Sequence, residues 1–160
     1  MSALTPAQAL QKLKHFCAYQ ERCHQEVKEK LYGYGLTTPE VESAISALIE
    51  ENYLNEERFA KAYAGGKFRM KQWGRVKIKY ALKQKQISPY CIKLAMSEID
   101  EEDYERILAD LVEKQWDALK SEKNIFNRLR KTMDFLIRKG YELDLIKSAI
   151  ETHRARNKER

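Results

Sequence analysis

Few side chains in this 160-residue sequence are equipped for chemistry. There are three histidines (His15, His24 and His153), with no HExxH motif, no nucleophile elbow and no glycine-rich phosphate loop following a strand. The signatures of zinc hydrolases, serine hydrolases and nucleotide-binding enzymes are thereby excluded, and a non-enzymatic chain without a cofactor is expected. Cysteine is scarce too. Cys17, Cys23 and Cys91 form an odd set without CxxC spacing, which fits reduced thiols in the cytosol better than a disulfide framework. Cys17, Cys23 and His24 lack a fourth ligand and the paired spacing of a zinc site, so no metal is expected. Cys17 reads as core, and Cys23-His24 as ordinary helix surface. No apolar run approaches the roughly 18–20 residues that cross a bilayer. Met1 to Ala9 has neither a basic n-region nor an apolar h-region, so neither a signal peptide nor a membrane partner is expected.

Acidic residues are missing from one stretch only. Between Arg58 and Ser97 there are eleven Lys/Arg and no Asp or Glu. The remainder carries 19 basic and 24 acidic residues, so the overall charge of +6 hides a positive block in a mildly acidic protein. Acidic shoulders flank it: Glu50, Glu51, Glu56 and Glu57 before, and Asp100 to Glu105 after. Such a block favours a polyanion, most often nucleic acid, or an acidic protein surface. The carboxylate run from Asp100 reads as a helix start, where negative charge offsets the macrodipole, rather than as a cation site.

A repeat organises the rest. Leu31, Leu36, Val41, Ala44 and Ile45 recur 51 residues later as Leu82, Ile87, Ile92, Ala95 and Met96. They recur 54 residues further on as Leu136, Tyr141, Ile146, Ala149 and Ile150. The intervals suit the end of an amphipathic helix, a tight turn and a second helix, so neighbouring units help bury one another. The spacing predicts an all-α chain of three tandem three-helix, helix-turn-helix-like repeats over residues 1–54, 55–99 and 100–153, with a polar, frayed tail over 154–160. Helices are expected near Thr5–Ala18, Glu21–Tyr32, Thr37/Thr38 to about Leu48, Glu56–Met70, Gly74–Lys85, Ser88–Ile99, Glu101–Glu122, Asn124–Lys139 and Asp144–His153. Thr37-x-x-Glu40 is a capping-box pattern, and Asn55 and Ser88 are N-cap candidates. Gly65-Gly66 weakens the fourth helix by roughly 1 kcal/mol per glycine, and a kink or early end is expected there. Gly35 and Gly140 share a repeat position that Gln86 fills in the middle unit. Leu82 and Leu136 are expected core positions.

The candidate binding residues are Lys67, Arg69, Lys71, Arg75, Lys77, Lys79, Lys83 and Lys85, interleaved with Phe68, Trp73 and Tyr80. Cations spread along a surface suit phosphates, and accessible aromatics suit unpaired bases. Ile78 and Leu82 face inward, which leaves Arg75, Lys79 and Lys83 as the main cations on other faces. The aromatics are expected in the core. The helices that follow each turn are weakly basic, which argues against base-specific readout by a recognition helix. The residues leave open a general nucleic-acid-binding or helix-turn-helix transcriptional protein, and also a helical scaffold.

One resemblance narrows these readings. The run Tyr53-Leu54-Asn55-Glu56-Glu57-Arg58-Phe59-Ala60-Lys61-Ala62-Tyr63 is similar to the opening of the central repeat in the RecX regulatory proteins. Trp73-Gly74-Arg75, Ile78, Ala81-Leu82-Lys83 and Ile87-Ser88 continue the similarity, with Gln86 departing where the family usually has glycine. The resemblance implies an elongated, curved array of three-helix repeats in a bacterial cytoplasmic protein, expected to be a monomer. It further implies binding to the RecA–single-stranded DNA filament, with double-stranded DNA as a second candidate, and inhibition of RecA's strand exchange, ATPase and co-protease activities. It supplies no short motif from which site residues carry over.

Overall fold

Local side-chain signals start six of the nine helices. The computed structural model describes residues 3–158, and among them the secondary structure is nine helices and no strand. Helix α1 (Pro6–Tyr19) opens on Thr5, whose hydroxyl accepts from the Gln8 N–H while the Gln8 side chain accepts from Thr5 N–H. Helix α2 (His24–Gly33) is followed by α3 (Thr38–Glu50), which begins with the expected capping box between Thr37 and Glu40. Asn55 caps α4 (Glu56–Lys71) through Arg58 N–H at 2.8 Å. Helices α5 (Arg75–Gln84) and α6 (Pro89–Met96) follow, Ser88 Oγ accepting from Cys91 N–H at the start of α6. Asp100 caps α7 (Glu101–Ala118), and Asn124 caps α8 (Ile125–Lys139). The last helix is α9 (Leu143–Lys158).

The sequence repeat is a repeated turn. Leu36 N–H donates to the Leu31 carbonyl, Ile87 N–H to Leu82, and Tyr141 N–H to Leu136. In each case the preceding residue has a left-handed backbone: Gly35 at φ 88°, Gln86 at φ 62° and Gly140 at φ 100°. This is the six-to-one bond and αL residue of a Schellman helix end, and the recurring apolar pair is its usual hydrophobic contact. Leu31, Leu82 and Leu136 are fully buried. Truncating Leu82 or Leu136 to alanine therefore removes about 2–5 kcal/mol. All other repeat positions are buried except Met96 and Ala149, which are half-exposed.

Four expectations change. Cys23 is fully buried rather than on the helix surface: it is the residue before α2, and its thiol donates to Glu26 Oε1 at 3.2 Å. Helix α4 runs unbroken through Gly65-Gly66; the Arg69 guanidinium lies 2.8 Å from where a Gly65 Cβ would stand, so the missing side chain makes room for Arg69. Helix α7 stops at Ala118, and Glu122 sits in the following turn, paired with Lys131 at 2.9 Å. Helix α9 continues past His153 to Lys158, while residues 159–160 of the expected tail lie outside the described residues.

The packing groups these helices into two compact units. The first takes the chain through Tyr63 together with Leu82–Ala95. Its core joins α1, α2 and α3 through residues such as Leu13, Val27, Leu31, Val41 and Leu48. The second comprises Ala64–Ala81 and the chain from Met96 onward. There α7, α8 and α9 pack on one another, with Tyr104, Leu108, Val112, Leu136, Ile146 and Ile150 inside. The middle repeat thus contributes to both units.

Candidate nucleic-acid interface

The candidate cations Lys67 to Lys85 lie on the second half of α4, on α5 beyond the turn Gln72-Trp73-Gly74, and at the residue that follows α5. What fixes the turn and the start of α5 is a direct match of unsatisfied backbone groups. The first N–H groups of a helix and the last carbonyls of a helix have no partner within their own helix. Gly74 N–H donates to the Lys139 carbonyl at 2.7 Å, and Val76 N–H donates to the Gly140 carbonyl at 2.8 Å. Arg75 N–H donates to Tyr104 Oη at 2.9 Å. The start of α5 thereby closes the end of α8. The approach leaves no room for side chains: a Cβ on Gly74 would stand 2.4 Å from the Gly140 carbonyl group, and a Cβ on Gly140 would stand 2.3 Å from Lys77 Cβ. Tyr141 Oη donates to the Gln72 carbonyl at 2.9 Å, and Lys139 Nζ to the Lys71 carbonyl at 3.1 Å.

Arg75 belongs to this anchor and not to the exposed cations with which its helix position groups it. Its Nε donates to Glu142 Oε2 and its Nη1 to Glu101 Oε2, each at 2.9 Å. Its guanidinium lies 3.9 Å from the centre of the Tyr104 ring. Burial works against the charge on Arg75, but the bonds to Glu101 and Glu142 outweigh it and hold the arginine more firmly protonated. Tyr104 is fully buried and donates to Glu142 Oε1; burial first, and that bond second, push its hydroxyl pKa well up. Phe68 and Tyr141 stack beside it, with ring centres 5.8 and 5.0 Å away.

The other cations fall into two sets. Lys67 and Lys77 are half-buried, with ammonium groups 5.0 and 4.5 Å from the centre of the half-buried Trp73 ring. Lys85 is also half-buried, 4.0 Å from Glu26 and 5.7 Å from the centre of the Tyr63 ring. Arg69, Lys71, Lys79 and Lys83 are exposed. Of the aromatics expected in the core, Phe68 is there but Tyr80 is not: it is 65 % exposed, on α5 beside Lys79. Its position two residues from Ile78, on the opposite side of the helix, carried that information in the sequence. Met70 and Val76 are exposed as well, so apolar and aromatic groups stand among the cations. Glu101, Tyr104 and Glu142, which hold the segment in place, are 26, 29 and 67 residues from Arg75, and no local pattern marks them.

Among the described residues no cluster of three or more His, Cys, Asp or Glu side chains is placed to hold a metal ion, and no helix is long and apolar enough to cross a membrane. Three-helix repeats closed by one recurrent turn, with a cationic segment anchored through its backbone, define an all-α helical-repeat protein.

Comparison with known proteins takes the assignment further. Residues 55–96 match the family profile described as RecX, second three-helix domain, and residues 101–150 match RecX, third three-helix domain. The regulatory protein RecX of Clostridium perfringens strain 13 is 35 % identical over 130 residues, covering 81 % of this chain and 60 % of that protein. The regulatory protein RecX of Lactobacillus johnsonii is 33 % identical over 96 residues, covering 60 % of this chain and 35 % of that protein. The crystal structure of RecX from Lactobacillus salivarius superposes with a TM-score of 0.82 at 22 % identity, covering 92 % of this chain and 95 % of that one. A second crystal structure, of a regulatory protein RecX, gives 0.79 at 20 % identity over 89 % of this chain and 71 % of that one. The chain belongs to the RecX family of regulatory proteins. It spans about 60 % of the length of the Clostridium relatives it matches.

Proposed function

We propose that this chain is a non-enzymatic regulator that binds the RecA–single-stranded DNA filament and restrains RecA's recombinase, ATPase and co-protease activities. The observation that carries the proposal is the anchored cationic segment. Arg69, Lys71 and Lys79 of the second unit face the phosphates, and Tyr80 offers an exposed ring to unstacked bases; Lys83 is an exposed candidate of the first unit. Lys67 and Lys77 add charge from half-buried positions in the same unit, and Lys85 does so in the first unit. Arg75 acts only through the anchor. Binding energy is better used when a charged surface is held in place beforehand, because less ordering is left to do on contact. A filament surface offers both phosphate and protein, and the exposed Met70 and Val76 suit the protein part.

Steady-state ATP hydrolysis by RecA on single-stranded DNA, with this protein titrated from far below RecA's concentration, tests the proposal. Loss of hydrolysis at substoichiometric amounts supports inhibition at filament ends, and loss near equal amounts supports occupation along the filament. Unchanged hydrolysis together with intact binding to bare DNA would replace the filament reading by general nucleic-acid binding.

A further inference from the structure

Helix α8 carries more apolar side chains than it buries. Of its sequence IFNRLRKTMDFLIRK only Thr132 and Leu136 are buried. Phe126 is 78 % exposed, Ile137 47 % and Ile125 39 %, and among the described residues no other helix exposes as many large apolar groups. Their spacing is ordered. Phe126, Leu129, Met133 and Ile137 follow one another at three- and four-residue steps, which aligns them in a single row of about 17 Å along the helix. Leu129 and Met133 form one wall of a groove of about 360 Å³, whose other wall comes from Ile150 and its neighbours on α9.

The rim of this groove is cationic. Lys147 and Arg154 line it from α9, with Glu151 as the one acid in the lining, and the exposed Arg130 flanks the apolar row on α8. Asp134 lies beyond Arg130, further round the helix. Arg154 also rests 5.7 Å from the centre of the Trp116 ring, which positions its charge at the groove edge.

We propose that the α8–α9 groove is a docking site for an acidic amphipathic helix of a partner protein. An apolar row at helical spacing, flanked by cations, is the complement of a helix with leucine or phenylalanine on one face and carboxylates beside it. Leu129, Met133 and Ile137 gain nothing from phosphates, and Phe126 is the one ring the row offers to a base, so the row as a whole suits an apolar helix face better than a nucleic acid. A second copy of the same groove would set Arg130, Lys147 and Arg154 against their own kind. The proposal stands apart from the filament reading, since it uses neither the central cations nor Tyr80.

The test is fluorescence anisotropy with the full chain and a labelled 16-residue peptide bearing leucines at i, i+4, i+7 and i+11 and glutamates between them. The expected result is saturable micromolar binding. A scrambled peptide of the same composition should bind at least tenfold more weakly, and a version with lysines in place of the glutamates should not bind. Phe126→Ala and Arg130→Glu each alter an exposed side chain, so the melting temperature should hold while peptide affinity falls at least tenfold. Equal binding of the scrambled peptide, or unchanged affinity in Phe126→Ala, overturns the proposal. So does a dimer in sedimentation that Phe126→Ala dissolves, which assigns the face to a second copy. Loss of oligothymidine binding in Phe126→Ala, without any peptide binding, would assign it to nucleic acid instead.

Discussion

Gln86 occupies the left-handed backbone position that glycine fills in the other two turns, with φ 62° against 88° at Gly35 and 100° at Gly140. A residue with a Cβ pays about 1 kcal/mol or more for that conformation. Gln86 is exposed, so its side chain offers little compensation. Gln86→Gly should therefore raise stability by about 1 kcal/mol, less the added freedom of the unfolded chain, and lift the melting temperature by about 2–4 °C. Cys23 gives a second residue-scale expectation. Burial first, with the bond to Glu26, pushes its thiol up to about 11 from the ordinary 9.0. Iodoacetamide labelling of Cys23 in the native protein should be slow at pH 8, because the thiol is both buried and protonated. Between pH 9 and about pH 11 the unfolded thiol releases its proton and the folded one keeps it, so the contribution of Cys23 to stability falls as pH rises through that window. Labelling at the rate of a free thiol at pH 8 would show that Cys23 is open to solvent.

At the scale of helices, the information that lies within a few residues was legible and the rest was not. The caps at Thr37, Asn55 and Ser88 and the Leu31/Leu36 pairing with its two recurrences all concern groups three to five residues apart, where the chain has little freedom to choose another partner. The place of Tyr80 was also legible, since the spacing that turns Ile78 and Leu82 inward turns Tyr80 outward. The partners of Arg75 were not. Helical spacing puts Arg75 with the exposed cations, but Glu142 reaches it from 67 residues away, and only the packed fold brings them together. The burial of Cys23 depends likewise on what packs over it. This separates two kinds of cation on α5. Arg75→Ala keeps the backbone N–H bond to Tyr104 but removes the cation from Glu142 and from the face of the Tyr104 ring, and should cost about 1–3 kcal/mol in a denaturant titration, with the salt dependence of DNA binding little changed. Lys79→Ala should do the reverse: stability within about 0.5 kcal/mol of the parent, and a log–log salt slope for single-stranded DNA smaller by about 0.7. A reduced slope in Arg75→Ala, with stability intact, would return Arg75 to the binding surface.

Across the whole molecule the repeat of the sequence and the unit of packing differ. The third repeat alone lacks Phe68, which stacks on Tyr104, and lacks the α5 start that closes α8. A fragment of residues 100–160 would leave Tyr104 and Glu142 without Arg75 and the end of α8 open to water. It should show a broad, non-cooperative loss of helicity on heating in circular dichroism, whereas residues 64–160 should melt cooperatively. A sharp transition in the shorter fragment would mean that the central segment is dispensable to this unit.

The close contact of Gly74 with Gly140 and of Arg75 with Glu142 also sets a timetable for synthesis. At roughly 5–20 residues per second, the 67 residues between Arg75 and Glu142 take roughly 3–13 seconds to emerge from a ribosome. During that interval a stretch with eleven positive charges and no negative one has been made, while its anchor has not. Residues 64–81, with their cations, are thus made before the tyrosine and carboxylates that hold Arg75 in place are all available.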